Sequence, residues 1–251
     1  MKLSTAVVAG AVAAVFSVAL PAGAEEIQVA VAANFTAPAQ ELAPIFEKQT
    51  GNKVKLSFGS TGAFFAQINN GAPFDILLAA DDTTPAKLLA NGNGVKGSAF
   101  TYAQGKLVFW SADPKLVDKD GKAVHEMKFN KCADPKLAPY GVAAYETLKS
   151  LKLLDKYQPK FVTGNNIGKT FQFVKTGNAE VGFVALSQVY KNGKITSGSG
   201  WIVPSKYYQP IRQDAVLLKH GENSAAAKSF LKFLQSAEAN KLKQSYGYAT
   251  H

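Results

Sequence analysis

Residues 27–62 read IQVAVAANFTAPAQELAPIFEKQTGNKVKLSFGSTG. The stretch holds two strand-like runs, Ile27 to Ala32 and Lys53 to Phe58, each followed by a turn of small or polar residues. Between them, Leu42, Ile45 and Phe46 recur at helical spacing, and Gly51 ends the pattern, which predicts a helix over 39–50. Pro44 inside that pattern predicts a kink or a late helix start. The alternation continues with a helix from Phe64 to Asn70, a strand from Asp75 to Ala80 and a helix from Thr84 to Asn91. Such a series implies a mainly parallel sheet covered by helices.

A second series follows. Gly105 to Ala112 reads as a strand, and 113–130 as a polar segment. Lys131 to Ala133 reads as a strand end, Val142 to Leu151 as a helix and Lys160 to Thr163 as a strand. Gly168 to Thr176 then reads as a helix and Val181 to Ala185 as a strand. Two consecutive open α/β units predict two lobes with a cleft between them. Near the end, Tyr207 to Ile211 leads into a strand at Ala215 to Lys219. Ser224 reads as the N-cap of a helix over 225–234, and a second helix is expected over 237–245. This closing group is expected to cross back and complete the first lobe.

The chain of 251 residues opens with Lys2, an apolar run from about Ala6 to Leu20, and Ala22-Gly23-Ala24. One positive charge, a short apolar core and a small-x-small site form the layout of a cleaved secretory leader over residues 1–24. The run is short for a membrane-spanning helix. A hydrophobic share of 47% is enough to fill real cores and argues against disorder. The formal net charge is +10, which suits an anionic partner. Arg212 is the only arginine, and nucleic-acid readers rely on arginine forks, so nucleic acid is not the expected partner.

Four turns join a strand to a helix: Ala33 to Thr36, Gly59 to Gly62, Ala138 to Gly141, and Gly164 to Gly168. In an open α/β sheet such turns lie at the carboxyl edge of the strands, where ligands bind. Helix starts carry backbone N–H groups without intrahelical partners and attract anions without any Lys or Arg. Asn34 and Thr61 are expected to add side-chain donors. Each turn alone is an ordinary cap; the case rests on two turns in each half facing one cleft. None carries a central Asp or Glu. A donor-only site suits an oxyanion that is fully deprotonated at neutral pH, such as sulfate, molybdate or tungstate. Asp81 and Asp82 are expected to cap the helix from Thr84.

Catalytic constellations are thin. His125, His220 and His251 have no metal-ligand spacing, and the lone Cys132 reads as a buried inert thiol. Gly59-Ser60-Thr61-Gly62 is neither a nucleophile elbow nor a P-loop. The best acid–base pair an enzyme could use is Asp81 or Asp134 near Lys169. An organic acid would call for an arginine clamp, and Arg212 lies outside the four turns. The aromatics Phe109, Trp110, Tyr207 and Tyr208 fall on strands and are expected to pack cores.

Several motifs carry a resemblance. They include Ala32-Ala33-Asn34-Phe35, Phe58-Gly59-Ser60-Thr61-Gly62, Asn69 to Asp75, Ala79-Ala80-Asp81 and Thr101 to Val108. Ala133-Asp134-Pro135, Ala138 to Gly141, Val181 to Ser187 and Tyr246-Gly247-Tyr248 complete the set, in this order. Together they make the chain similar to the periplasmic molybdate-binding proteins of the ModA type, the receptors of molybdate ABC transporters. The resemblance implies a type II periplasmic-binding-protein fold, two α/β lobes joined by two crossings. The first lobe would comprise 25–104 plus 210–251 and the second 105–209. It implies that molybdate or tungstate is held through its oxygens by Asn34 with Ala33 beside it, by Thr61, and by the backbone N–H groups of Tyr140 and Ile167. Many members have Ser at the positions of Asn34 and Thr61, and some have a Tyr where this chain has Ala185. The expected protein is a monomeric periplasmic receptor that takes a small oxyanion to the membrane permease of an ABC transporter. No cofactor, no cation site and no catalysis are expected. A receptor for sulfate, another small oxyanion or an organic acid is the alternative, and an enzyme on the same fold a remoter one.

Overall fold

The computed structural model describes residues 23–134 and 138–250. The leader expected over residues 1–24 lies outside them except for Gly23 and Ala24, and so does His251. The chain begins with β1 (Glu26–Ala32), α1 (Thr36–Thr50), β2 (Lys53–Gly59), α2 (Thr61–Asn69), β3 (Ile76–Leu78), α3 (Thr83–Ala90) and β4 (Phe100–Gly105). The second series is β5 (Leu107–Ser111), α4 (Lys122–Glu126), β6 (Cys132–Asp134), α5 (Pro139–Ser150), α6 (Leu154–Tyr157), β7 (Phe161–Thr163), α7 (Ile167–Lys175) and β8 (Val181–Ala185). A short hairpin of β9 (Tyr190–Lys191) and β10 (Lys194–Ile195) leads to β11 (Ser199–Ile202). The chain then closes with β12 (Ile211–Leu217), α8 (Ala225–Phe233) and α9 (Ala237–Ser245).

The strands outside the hairpin build two five-stranded sheets, β2-β1-β3-β12-β4 and β11-β5-β8-β6-β7, in a two-lobed α/β fold. The chain passes between the sheets at Lys106, and again between Ile202 and Ile211. Each sheet is mixed but mainly parallel in direction, with four strands running one way and a single reversed strand, β12 in the first and β5 in the second. β1 pairs in parallel with β2 and β3, but β12 runs antiparallel to β3 and β4. Likewise β6 pairs in parallel with β7 and β8, while β5 runs antiparallel to β8 and β11. The parallel pairs are those returned by helical crossovers. β5 and β12 enter their sheets directly from the other lobe, so no βαβ crossover imposes their direction.

Apolar faces set the layers. Phe35, Leu42 and Phe46 pack with Phe230 and Leu234 on one face of the first sheet. Phe64, Ile68, Phe74 and Leu88 cover its other face. In the second lobe, Phe109, Leu148, Tyr157 and Phe183 fill one side, and Val108, Trp110 and Val174 the other. Cys132 is buried among them, and burial pushes its thiol up, out of the range of a nucleophile.

Helix starts differ from the apolar periodicity in a consistent way. α1, α2 and α5 begin at Thr36, Thr61 and Pro139, each three residues before the first expected helical position. Local geometry sets these starts, the Ser60 cap at α2, Pro139 in the first turn of α5 and the preceding 3-10 turn at α1, whereas apolar spacing marks only where the buried face begins. α1 runs through Pro44, which lies on its exposed face, where water can take the place of the missing donor. The strand expected over 105–112 is β5, Leu107–Ser111, and Gly105 ends β4, a strand the apolar pattern did not mark.

α9 carries Lys243, only 1% exposed. Its Nζ donates to the carbonyls of Tyr102 (2.6 Å) and Leu234 (2.8 Å), tying α9 to β4 and to the end of α8. Burial lowers its pKa from 10.5 to about 8. Between these values the unfolded chain holds more protons on this lysine than the folded one, so its contribution to stability rises with pH. In urea unfolding, wild-type protein should therefore gain stability relative to Lys243→Met as pH rises from about 8 towards 10. Parallel pH profiles for the two proteins would contradict this.

Candidate functional site

β1 and β2 in the first lobe and β6 and β7 in the second each run at their carboxyl ends into a helix start. After β1, a single 3-10 turn, Ala33–Phe35, precedes α1. Before α2, Ser60 Oγ accepts from Ala63 N (3.2 Å) and Ser60 O from Phe64 N (3.1 Å), leaving the N–H groups of Thr61 and Gly62. α5 begins with Pro139, which has no N–H, and Ala138 O takes Gly141 N (2.7 Å), leaving Tyr140 N–H. At α7, Asn166 Oδ1 accepts from Lys169 N (2.8 Å) and Asn166 O from Thr170 N (3.0 Å), leaving Ile167 and Gly168. No hydrogen bond among the described residues occupies the backbone N–H of Asn34, Thr61, Tyr140 or Ile167.

All four turns line one cleft of about 400 Å³, and Ala33, Asn34, Thr61, Tyr140 and Ile167 all border it. The lobes touch at its edge: Ser187 Oγ of the second lobe donates to Asn34 O of the first at 2.8 Å. Gly168 suits this closeness, since a Cβ there would come within 3.2 Å of Ala33 Cβ. A larger hollow of about 520 Å³ in the second lobe, bordered by Asp118, Lys119, Tyr190 and Lys194, presents no helix start.

The polar groups take different directions. Thr61 Oγ1 accepts from Ala80 N at 2.9 Å, which leaves its own proton free to donate. The Asn34 amide, expected as a side-chain donor, instead turns inward. Its Nδ2 donates to Gln213 Oε1 (2.8 Å) and Tyr248 OH (2.9 Å), because these buried acceptors lie directly behind it. Of the Asn34 donors, only the backbone N–H is left without a bond among the described residues. Ala185 is fully buried and does not border the cleft.

Charge is kept at the margin. Asp81 borders the cleft, but its carboxylate accepts from Thr84 N (2.7 Å) and Thr84 Oγ1 (3.2 Å) as a cap of α3. Asp82, expected to share that role, makes no such bond; it faces Arg212 at 3.8 Å. Lys87, exposed at the mouth, was not anticipated from the sequence. Beneath the floor, burial pushes the phenols of Tyr102 and Tyr140 well up and that of Tyr248 to about 12, so none is an anion at neutral pH. Asp134 and Lys169, which an enzyme would need together, both lie off the cleft: Lys169 sits over the Phe173 ring and Asp134 accepts from Tyr145 OH. Among the described residues, no group of three His, Cys, Asp or Glu side chains could hold a metal ion.

Sequence reading missed Gln213, Tyr248, Tyr102 and Ser187, which meet below the cleft floor. One signal was present: Gln213 alternates with Ile211 and Ala215, two buried apolar residues of the same strand.

The match to a family model described as bacterial extracellular solute-binding protein spans residues 27–249. The chain belongs to that family. Within it, the chain is 54% identical over 232 residues to the molybdate-binding protein ModA of Azotobacter vinelandii, covering 92% of each. It is 50% identical to the ModA of Rhodobacter capsulatus over 243 residues, covering 96% of this chain and 95% of that one. A solved periplasmic molybdate-binding protein of Azotobacter vinelandii superposes with a TM-score of 0.86 at 40% identity, over 90% of this chain and 99% of that one. This solved protein and this chain thus share one architecture.

Thr61→Val removes the acceptor of a buried N–H at Ala80 while keeping the side-chain volume. Thermal or urea unfolding of the ligand-free protein should report a loss of about 1–3 kcal/mol. An unchanged midpoint would mean that the hydroxyl does not hold Ala80.

Proposed function

We propose that the chain is a periplasmic receptor that captures molybdate or tungstate and passes it to the permease of an ABC importer. The observation that carries this reading is the convergence of four helix starts, two from each lobe, on one cleft without a free carboxylate. The relatives at 54% and 50% identity, both molybdate-binding proteins, supply the anion. The expected leader over residues 1–24 supports export to the periplasm. The role is capture, not catalysis, by a monomer that shuttles between open and closed states.

A dianion entering the cleft meets the positive ends of the helix dipoles of α2, α5 and α7. The N–H groups of Asn34, Thr61, Tyr140 and Ile167 then point at its oxygens, and Thr61 Oγ1 adds a hydroxyl. Hydrogen bonds to an ionised acceptor are roughly twice as strong as neutral ones. Closing the lobes removes water and strengthens them further. Phosphate at neutral pH carries at least one proton on every molecule, and that proton needs an acceptor. The nearest carboxylate, Asp81, is turned to its own helix. Sulfate carries the right charge but is a smaller tetrahedron, so it cannot reach both lobes' donors at once.

Calorimetric titration with molybdate, tungstate, sulfate and phosphate tests the reading. Molybdate and tungstate should agree within about threefold, and sulfate and phosphate should bind at least about a hundredfold more weakly. Sulfate binding as tight as molybdate would overturn the assignment.

A further inference from the structure

The side chains of two proposed anion-contacting residues, Asn34 of the first lobe and Tyr140 of the second, do not face the cleft. Both end on Gln213. Its Oε1 accepts from Asn34 Nδ2 at 2.8 Å, and its Nε2 donates to Tyr140 OH at 2.8 Å. Gln213 is completely buried and lies on β12, the strand that brings the chain back into the first sheet. One amide group thus ties together a residue from each wall.

The same amide reaches the third contact. Tyr102 OH lies 3.2 Å from Gln213 Oε1 and 2.9 Å from the carbonyl oxygen of Ala79. That carbonyl shares a peptide plane with the N–H of Ala80, which donates to Thr61 Oγ1. Tyr102 reaches this position because the pairing of β12 with β4 skips it: Gln213 pairs with Ala103 and Asp214 with Thr101. The bulge re-aims a side chain that a regular ladder would hold elsewhere.

Gly105 closes the case for a built junction. It sits at the first crossing, where a Cβ would lie 2.2 Å from Tyr140 OH and 2.6 Å from Gln213 Nε2. Any other residue would push the two apart. The backbone at the crossing is therefore shaped to let this hydrogen bond form.

We infer that Gln213 is a positioning residue that fixes the gap between the donors of the two lobes, and so selects the size of tetrahedral anion the cleft accepts. The inference rests on the oxyanion-receptor reading above. Gln213 touches no ligand itself. It acts through Asn34, Tyr140 and, by way of Tyr102, Thr61. A loose junction lets the lobes approach further, which favours a smaller anion over a larger one.

The test compares wild type with Gln213→Leu, Tyr140→Phe and their double mutant, titrated with molybdate and with sulfate. Tyr140→Phe keeps the ring and the backbone N–H and removes only the hydroxyl that Gln213 grips. Each single variant should lose about tenfold in molybdate affinity with a smaller change for sulfate, so that the molybdate-to-sulfate preference falls at least about fivefold. The double mutant should be no worse than Gln213→Leu within about twofold, because the two residues act as one link. Ligand-free unfolding midpoints separate this from general loosening, which lowers stability without moving the preference. If Gln213→Leu does not fold, Gly105→Ala carries the same expectation. Unchanged preference in Tyr140→Phe and in the second variant, or additive losses in the double mutant, would overturn the role of Gln213 while leaving the receptor reading intact. A wild type that binds neither anion would overturn both.

Discussion

A helix start leaves several backbone N–H groups without carbonyl partners, and a folded chain must cap them, hydrate them or offer them to a ligand. In this protein the capping is partial at every start that borders the cleft. Ser60 and Asn166 each satisfy one later N–H and leave the earliest ones. At α5 a proline removes one donor, and a tight turn at Ala138 satisfies the next but one, so that Tyr140 alone is left. The rest of the architecture follows from directing these leftovers to one point. Carboxyl edges of two sheets must face each other, which requires two lobes and a chain that crosses between them.

Neutral donors demand more of the fold than lysines or arginines would. A flexible cation finds its anion; a backbone N–H must be aimed by everything behind it. Below the floor, Asn34, Gln213, Tyr140, Tyr102, Tyr248 and Ser187 supply that backing through hydrogen bonds between fully or nearly buried groups. The arrangement has a cost. Among the described residues Asn34 Oδ1 is buried without a partner, a loss of about 1–3 kcal/mol that a protein optimised for stability alone would avoid. The raised pKa values of the tyrosines serve the same end, since an ionised phenol under the cleft would repel the ligand.

Much of this was legible in the chain itself, for identifiable reasons. The alternation of strands and helices is local and periodic, and the four turns are local strings of Gly, Asn, Ser and Thr. Both could be read, as could the cap formed by Asp81. What escaped was of three kinds. Short or edge strands such as β4, β9 and β11 carry little apolar signal. Strand direction in each sheet depends on which strands cross between lobes, which periodicity does not encode. The aim of Asn34 depends on partners 179 and 214 residues away, and no local pattern distinguishes a side chain that faces the cleft from one that faces inward.

The placement of the charged groups completes the argument for neutral donors. Lys87 stands at the mouth, and Arg212 lies beside the neighbouring hollow with Asp82, so neither cation enters the cage. A cation inside would bind any anion tightly, with little regard for its size, and would hold it when the lobes reopened. Fixed dipoles behave differently. Their attraction is strong only when several are aligned on the same ion at hydrogen-bond distance and water is absent. In the proposed cycle, opening the lobes would break that alignment and readmit water, and the affinity would fall with it. The basic surface then has a separate part: it raises the local concentration of anions around the protein without deciding which of them stays.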